Sequence, residues 1–329
     1  LLFRVGLESD LPGLLHQLRG ASLIWLGSVA CSAAAGYVAA RYLLGFERVP
    51  SLVIATALTA TSVGIPARVW HGAGALDTAN GQRFLDVAEM DDLFGVVFMA
   101  LLFAVLPVLT GAAPGAVAPV VARKAGLFAL KLVGFATICV LFSRYLEARF
   151  TRVLRRIESG PDPMLVVVGT GVLVAAAAGL LGFSVAIGAF FAGLVFSRDP
   201  ESVKVNTSFA PLYDLFTPFF FVGIGLAMNP AVIAPAAGAG AALLAAAIVG
   251  KLVGTMGPAW PLAGAAGAAA LGVSMVPRAE IAMLIMHRAR GMGPEVAPAS
   301  AYNGMVLVSA ATCLAAPPLL AWMLRRRAG

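Results

Sequence analysis

Two adjacent aspartates, Asp91 and Asp92, precede an uncharged stretch that runs from Leu93 to Ala122. The first part of that stretch, residues 93–106, has the composition of a helix buried in a membrane. A carboxylate at membrane depth costs about 2.5–3.5 kcal/mol on insertion scales, and two neighbouring carboxylates resist ionising together. The pair therefore predicts a site that repeatedly meets a cation, with sodium, potassium, lithium and the proton as candidates.

Lys251 is a second candidate for chemistry, because it lies in a Gly- and Ala-rich segment with no other charge between Asp214 and Arg278. A buried lysine is strained unless it is paired or deprotonated. Asp91 or Asp92 is the natural partner. The alternative is a lysine near a helix end whose ammonium reaches the membrane surface.

The composition explains why charges are so informative here. Of 329 residues, 60% are hydrophobic and 12% are charged, whereas soluble domains carry about 25% charged residues. We therefore predict an all-α, polytopic membrane protein. The net charge of +7 is assigned to loops near lipid headgroups, so we expect no nucleic-acid partner. Neither a metal-cluster spacing nor a P-loop or nucleophile elbow occurs, so we expect no cofactor and no enzymatic activity.

At about 20 apolar residues per span, the hydrophobic runs predict ten membrane spans. Short loops and the absence of two-residue alternation favour helices over barrel strands. The predicted spans are 21–43, 51–69, 84–107, 124–146, 164–181, 183–197, 211–228, 236–256, 262–287 and 298–323.

The basic residues of the loops predict the orientation. Alternate loops place twelve Lys and Arg residues on one side and six on the other, and the richer side is expected to be cytoplasmic. The C-terminal residues Arg325–Arg327 fall on the cytoplasmic side, and the basic run Arg149–Arg156 is interpreted as an interfacial segment there.

Two spans contain helix-breaking sequences. In "TATSVGIP" (59–66), Pro66 disfavours helix at Ile65, while Thr61 and Ser62 offer hydroxyl oxygens to freed backbone groups or to an ion. The second break is expected near "SMVPRAE" (274–280). We predict that the two breaks lie close together near mid-membrane, beside the aspartates.

Arg278 and Glu280 flank the second break. They could pair with each other or balance the half-charges at the ends of the interrupted helices. Weak repeats also relate 1–9 to 219–227 and 61–68 to 273–278, at offsets that place the two halves in inverted topology. Interrupted spans in inverted halves are typical of secondary transporters.

The motifs "TATSVGIPAR", "LDVAEMDDLFGVV", "GKLVG" and "VPRAEIAMLI" together resemble the monovalent cation/proton antiporter superfamily. The nearest branch is the bacterial electrogenic sodium/proton antiporters with an Asp-Asp pair. The resemblance covers nearly the whole chain. It implies an inverted-repeat fold with two crossed discontinuous helices, a mobile core that moves like an elevator, and a homodimer.

The resemblance also implies roles for individual residues. Asp92 matches the principal cation and proton site, and Asp91 matches the aspartate that pairs with a lysine, here Lys251. Thr61 and Ser62 fall in the unwound segment that crosses near the transported cation. Arg278 and Glu280 match a charged Pro-Arg-Gly-Glu pattern, with Ala279 in place of the glycine.

Applied along the chain, the resemblance implies five segments. They are the end of a truncated helix of the dimer domain (1–20), the first half of the core (21–123), a linker helix and basic segment (124–160), scaffold helices for dimerisation (161–235) and the second half of the core (236–329).

These features predict a secondary antiporter in a bacterial inner membrane. The cargo would be Na⁺, or else Li⁺ or K⁺, in exchange for protons. A potassium/proton antiporter and a sodium-coupled symporter for an organic anion remain open as alternatives. A cation channel is disfavoured, because nothing in the sequence resembles a selectivity filter.

Overall fold

The structure, a computed structural model, describes residue 3, residues 11–111, 117–146, 164–180 and 185–196, single positions between 215 and 226, and residues 233–325. Within these ranges the regular structure is helical and contains no strand, which confirms the predicted all-α fold. The basic run Arg149–Arg156, Asp214 and most of the predicted span 211–228 lie outside the described residues.

The helices are named here in chain order. They are α1 (Leu11–Val38, continued by a π-helical turn at Ala39–Leu43), α2 (Arg48–Thr59), α3 (Gly64–Gly72), α4 (Ala79–Gly111), α5 (Val117–Tyr145), α6 (Met164–Leu180), α7 (Val185–Phe196), α8 (Ile233–Ser274), α9 (Glu280–Gly291) and α10 (Ala299–Arg325).

The count of ten spans differs from what the structure describes. Within the described residues, six helical segments are long and apolar enough to cross a membrane. The predicted span 236–256 and the start of 262–287 both fall within α8, whose helical backbone is interrupted at Gly264. That residue has φ 66°, a left-handed conformation that glycine adopts without a steric penalty. The rest of 262–287 contains the second break and most of α9. The predicted spans 164–181 and 183–197 correspond to α6 and α7, whose described lengths are 17 and 12 residues.

The chain divides into two compact units. The first unit comprises Leu1–Leu11 and Val96–Gly223, and the second comprises Pro12–Gly95 and Ile224–Gly329. In the first unit α7 packs on α6 and on α5. The rings of Phe135 and Phe191 meet edge to face there, with centroids 5.3 Å apart.

The second unit contains the residues of chemical interest. Its long helices α8 and α10 pack along each other, while α9 packs on α2 and α3 packs on α10. A hydrophobic cluster fills one part of this unit. Trp70 of α3 stacks there on Phe84 of α4, and the indole Nε1–H of Trp70 donates to Ser274 Oγ at the end of α8. The cluster therefore links the second half of one broken helix to the end of the other.

Glycines bring α1 and α8 into backbone contact. A Cβ added at Gly27 would lie 2.5 Å from the carbonyl oxygen of Gly254 and 2.8 Å from Pro258 Cγ. One added at Gly250 would lie 2.9 Å from the Cα of Ser32. Gly250 and Gly254 are four residues apart and share a face of α8, the small-xxx-small arrangement that allows helices to approach closely. Lys251, which lies between these two glycines in the sequence "GKLVG", is therefore held close to α1.

We predict that Gly27→Ala destabilises the protein, because its methyl group cannot enter the α1–α8 contact without separating the helices. Overpacking of this kind costs about 1–3 kcal/mol. The melting temperature in detergent should therefore fall. Gly257→Ala is the matched control, because a Cβ at that exposed position of α8 meets nothing within 4 Å. Its melting temperature should be unchanged or higher, and equal losses in the two variants would contradict the close contact.

Candidate functional site

The two breaks meet in the second unit. The first covers residues 60–63 between α2 and α3, and the second covers residues 275–279 between α8 and α9. The backbone N–H of Ser62 donates to the carbonyl oxygen of Pro277 at 2.9 Å. The Thr61 hydroxyl donates to the carbonyl oxygen of Met275 at 3.3 Å. The predicted proximity of the breaks is confirmed by these two hydrogen bonds.

The cause of the first break differs from the prediction. The helix resumes at Gly64, so Ile65 is helical and the proposed effect of Pro66 on it was wrong. Pro66 occupies the first turn of α3, where backbone N–H groups have no partner within the helix, so the missing N–H of proline costs nothing. The unwound residues lie immediately before that turn.

Helix α10 supports the second break through the backbone of Arg278. The N–H of Arg278 donates to Thr312 Oγ1 at 3.1 Å, and its carbonyl oxygen accepts from Ser309 Oγ at 2.6 Å and from Cys313 Sγ at 3.3 Å. Ser309, Thr312 and Cys313 are three and four residues apart and therefore share one face of α10. Side chains of a neighbouring helix thus replace the helical hydrogen bonds that the break removes.

The guanidinium of Arg278 joins the two breaks. It is fully buried, and its Nη1 donates to Met275 O at 3.0 Å, to Thr61 Oγ1 at 3.3 Å and to Pro277 O at 3.3 Å. The carboxyl end of α8 carries about half a negative charge, which this cation offsets. The role of Arg278 in charge compensation stays a prediction.

Lys251 and Asp91 form a buried ion pair. Lys251 Nζ lies 3.2 Å from each carboxylate oxygen of Asp91, and the two side chains are 0% and 1% exposed. The predicted contact between these two residues is confirmed. Lys251 Nζ also lies 2.9 Å from the hydroxyl oxygen of Ser28 on α1, a residue that is itself fully buried.

The remaining predicted residues occupy neighbouring positions. Asp92 is half-buried, and consecutive helix residues point about 100° apart, so it presents a different face of α4 from Asp91. Ser62 is buried in the first break, and Glu280 is the first residue of α9. A carboxylate at that position is favoured by the positive end of the helix.

Several polar residues of the site were missed at the level of the sequence. Ser28 and the α10 face with Ser309, Thr312 and Cys313 are the main cases. Each is a small polar side chain within an apolar helix, and that feature of the sequence could have marked it as a candidate. Such residues usually bond to their own helix, so their partners are known only from the packing.

The side chains and backbone groups of the two breaks and of the Lys251–Asp91 pair present mainly oxygen atoms. Carboxylate, hydroxyl and carbonyl oxygens are hard ligands. Within the described residues, no three His, Cys, Asp or Glu side chains form a group that could hold a metal ion.

The chain is similar in sequence to known membrane transporters along nearly its whole length. The sequence pattern of the family described as "Sodium/hydrogen exchanger, transmembrane" matches residues 1–326. The chain belongs to this sodium/hydrogen exchanger family. It is therefore a member of a family of multi-pass membrane transporters, within the antiporter superfamily that its motifs resemble.

Individual exchangers similar to the chain come from bacteria and plants. The High-affinity Na(+)/H(+) antiporter NhaS3 of Synechocystis is 28% identical over 97% of this chain and 68% of its own length. The Na(+)/H(+)-K(+) antiporter GerN of Bacillus cereus is 27% identical over 97% of this chain and 79% of its own. The chloroplastic K(+) efflux antiporter 1 of Arabidopsis thaliana is 26% identical over 70% of this chain and 19% of its own.

We predict that Thr312→Val lowers stability, because it leaves the buried N–H of Arg278 without an acceptor. The loss should be about 1–3 kcal/mol, measured by thermal or denaturant unfolding in detergent. Thr137→Val is the control, because among the described residues the hydroxyl of this exposed residue bonds back to Val133 of its own helix. The support from α10 would be refuted if the two variants unfolded alike.

The Lys251–Asp91 pair is tested by a double-mutant cycle. Lys251→Ala should lower the melting temperature, because removing one partner of a buried pair typically costs about 3–5 kcal/mol. Combining it with Asp91→Asn should recover part of the loss, since neither charge is then left alone. Strictly additive effects of the two changes would contradict an energetically coupled pair.

Proposed function

We propose that this exchanger is a secondary active antiporter that exchanges Na⁺ for protons. The observation that carries the proposal is the fully buried Lys251–Asp91 ion pair, adjacent in sequence to the half-buried Asp92 and in the same unit as two broken helices. An ion pair hidden from water is costly to keep. Its retention is explained if Asp91 changes partner during transport.

Competition at the carboxylates couples the two fluxes. Asp92 is the proposed principal site, which binds either Na⁺ or a proton, with Asp91 beside it. Thr61 and Ser62 are proposed to contribute oxygen ligands. The Thr61 hydroxyl already donates to Met275 and accepts from Arg278, so its oxygen has one lone pair left for a cation. Occupancy by either cargo reduces the net charge that must cross the apolar barrier.

Lys251 is proposed to set the stoichiometry. When Na⁺ occupies Asp91 and Asp92, the ammonium must leave Asp91 or lose its proton. When Na⁺ departs, Asp92 takes one proton, and Lys251 either pairs again with Asp91 or carries a second proton. Two protons for each Na⁺ would make the exchange electrogenic. Arg278 and Glu280 are assigned charge compensation at the helix ends rather than a contact with cargo.

The larger movement is proposed from the resemblance to elevator antiporters. The core halves, 21–123 and 236–329, would carry the site across the membrane, and residues 161–235 would form the scaffold of a homodimer, joined through 124–160. We place the protein in a bacterial inner membrane with its C-terminus in the cytoplasm, following the distribution of basic residues. The transported ions are cargo, and no cofactor takes part.

Potassium is the second candidate cargo. The Bacillus cereus relative is named a Na(+)/H(+)-K(+) antiporter, and the Arabidopsis relative is named a K(+) efflux antiporter. The carboxylate and hydroxyl oxygens of the proposed site suit either ion.

We predict that Asp92→Asn abolishes exchange while the protein still folds, because an amide cannot alternate between a proton and a cation. Proton release is measured in proteoliposomes with a pH-sensitive dye after addition of Na⁺, Li⁺ or K⁺. Asp77→Asn is the control, because Asp77 is exposed on the loop before α4. A normal response from Asp92→Asn would refute the site, and a wild-type protein inert to every cation would refute antiport.

A further inference from the structure

The shortest polar contact of Lys251 is with Ser28 rather than with Asp91. Nζ lies 2.9 Å from Ser28 Oγ and 3.2 Å from each carboxylate oxygen. Both Ser28 and Lys251 are fully buried. An ammonium group has three N–H donors and no acceptor capacity. Among the described residues, these donors are shared between one hydroxyl on α1 and one carboxylate on α4.

The packing of α1 on α8 makes this contact possible. A serine side chain is short, and it reaches Lys251 only because Gly27, Gly250 and Gly254 let the two backbones touch. Lys251 lies between Gly250 and Gly254 in sequence, and Ser28 follows Gly27 directly. The contact is therefore set by the closest approach of the two helices.

We propose that Ser28 is a positioning residue for Lys251, whose hydroxyl holds the ammonium on the α1 side while Asp91 exchanges Lys251 for the transported cation. This inference rests on the proposed antiport function. A serine hydroxyl is neutral, so it can retain the ammonium without competing with it for the charge of Asp91. Ser28 itself touches no cargo.

The expected consequence concerns affinity for the cation. Without Ser28, an ammonium displaced from Asp91 would be buried with no acceptor among the described residues, which is costly for a charged group. Lys251 would then hold Asp91 more firmly and oppose the incoming cation. The maximal rate depends on Asp92, which this change does not touch. Loss of Ser28 should therefore raise the KM for Na⁺ far more than it lowers the maximal rate.

The test compares three variants of the whole protein in proteoliposomes at fixed pH. Ser28→Ala should raise the KM for Na⁺ about tenfold, as expected from loss of one hydrogen bond to a charged group. Ser28→Thr keeps the hydroxyl and should restore the KM to within about twofold of wild type. Ser32→Ala is the control, because Ser32 lies one turn further along α1, is fully buried, and has no hydrogen-bond partner for its hydroxyl among the described residues.

A second measurement separates positioning from general damage. Bound Na⁺ stabilises the folded protein, so the Na⁺ concentration that gives half the maximal rise in melting temperature reports binding without transport. Ser28→Ala should increase that concentration in the wild-type background and leave it unchanged in Lys251→Ala. An unchanged KM in Ser28→Ala, an equal effect of Ser32→Ala, or an effect that persists without Lys251 would overturn the proposal.

Failure of antiport itself has a different signature. If the wild-type protein neither moves protons nor gains stability with any cation, the proposed function is wrong. The contact is then judged by a double-mutant cycle of Ser28→Ala and Lys251→Ala on melting temperature alone. Clear coupling supports a Ser28 that positions Lys251, and additivity overturns it.

Discussion

A polypeptide backbone that leaves its helix in an apolar environment must find new partners for every exposed N–H and C=O group. In this exchanger, each break meets part of that requirement for the other. Ser62 donates to Pro277, and the Arg278 guanidinium reaches carbonyl oxygens on its own side of the junction and the Thr61 hydroxyl on the other. Helix α10 adds Ser309 and Thr312, whose hydroxyls bond to the backbone of Arg278. The unwound segments persist because they are held together by each other and by α10.

The same unit must also place charges where water does not reach. Lys251 and Arg278 are fully buried, and Asp91 is nearly so. Arg278 faces carbonyl oxygens at the carboxyl end of α8, where a cation is favoured. Lys251 instead faces a carboxylate, so its charge is balanced by a partner that can itself bind a cation or a proton. This difference underlies the separate roles that we propose for the two cations.

Close packing of the helices determines which side chains contact these buried charges. The glycine contact between α1 and α8 brings the short side chain of Ser28 on α1 within hydrogen-bonding distance of Lys251. The Trp70 hydrogen bond to Ser274 links α3 to the end of α8 in a comparable way. A membrane offers little hydrophobic drive for helices to associate, so small residues and buried polar contacts carry much of the specificity.

The sequence by itself was sufficient for the class of fold and for the main charged residues. A high apolar content indicates membrane helices. A buried charge or a proline-containing break is costly in a membrane, and few arrangements remove that cost, so each such feature can be interpreted separately. Lys251 and the Asp91–Asp92 pair are examples. Helix boundaries were harder to predict, since Pro66 lies in the first turn of α3 and does not prevent helix at Ile65. The contact of Ser28 with Lys251, and the bonds of Ser309, Thr312 and Cys313 to the backbone of Arg278, were decided by the tertiary structure alone. A small hydroxyl in an apolar helix is satisfied equally well by its own backbone or by a neighbour, and only the distance between helices selects one of them.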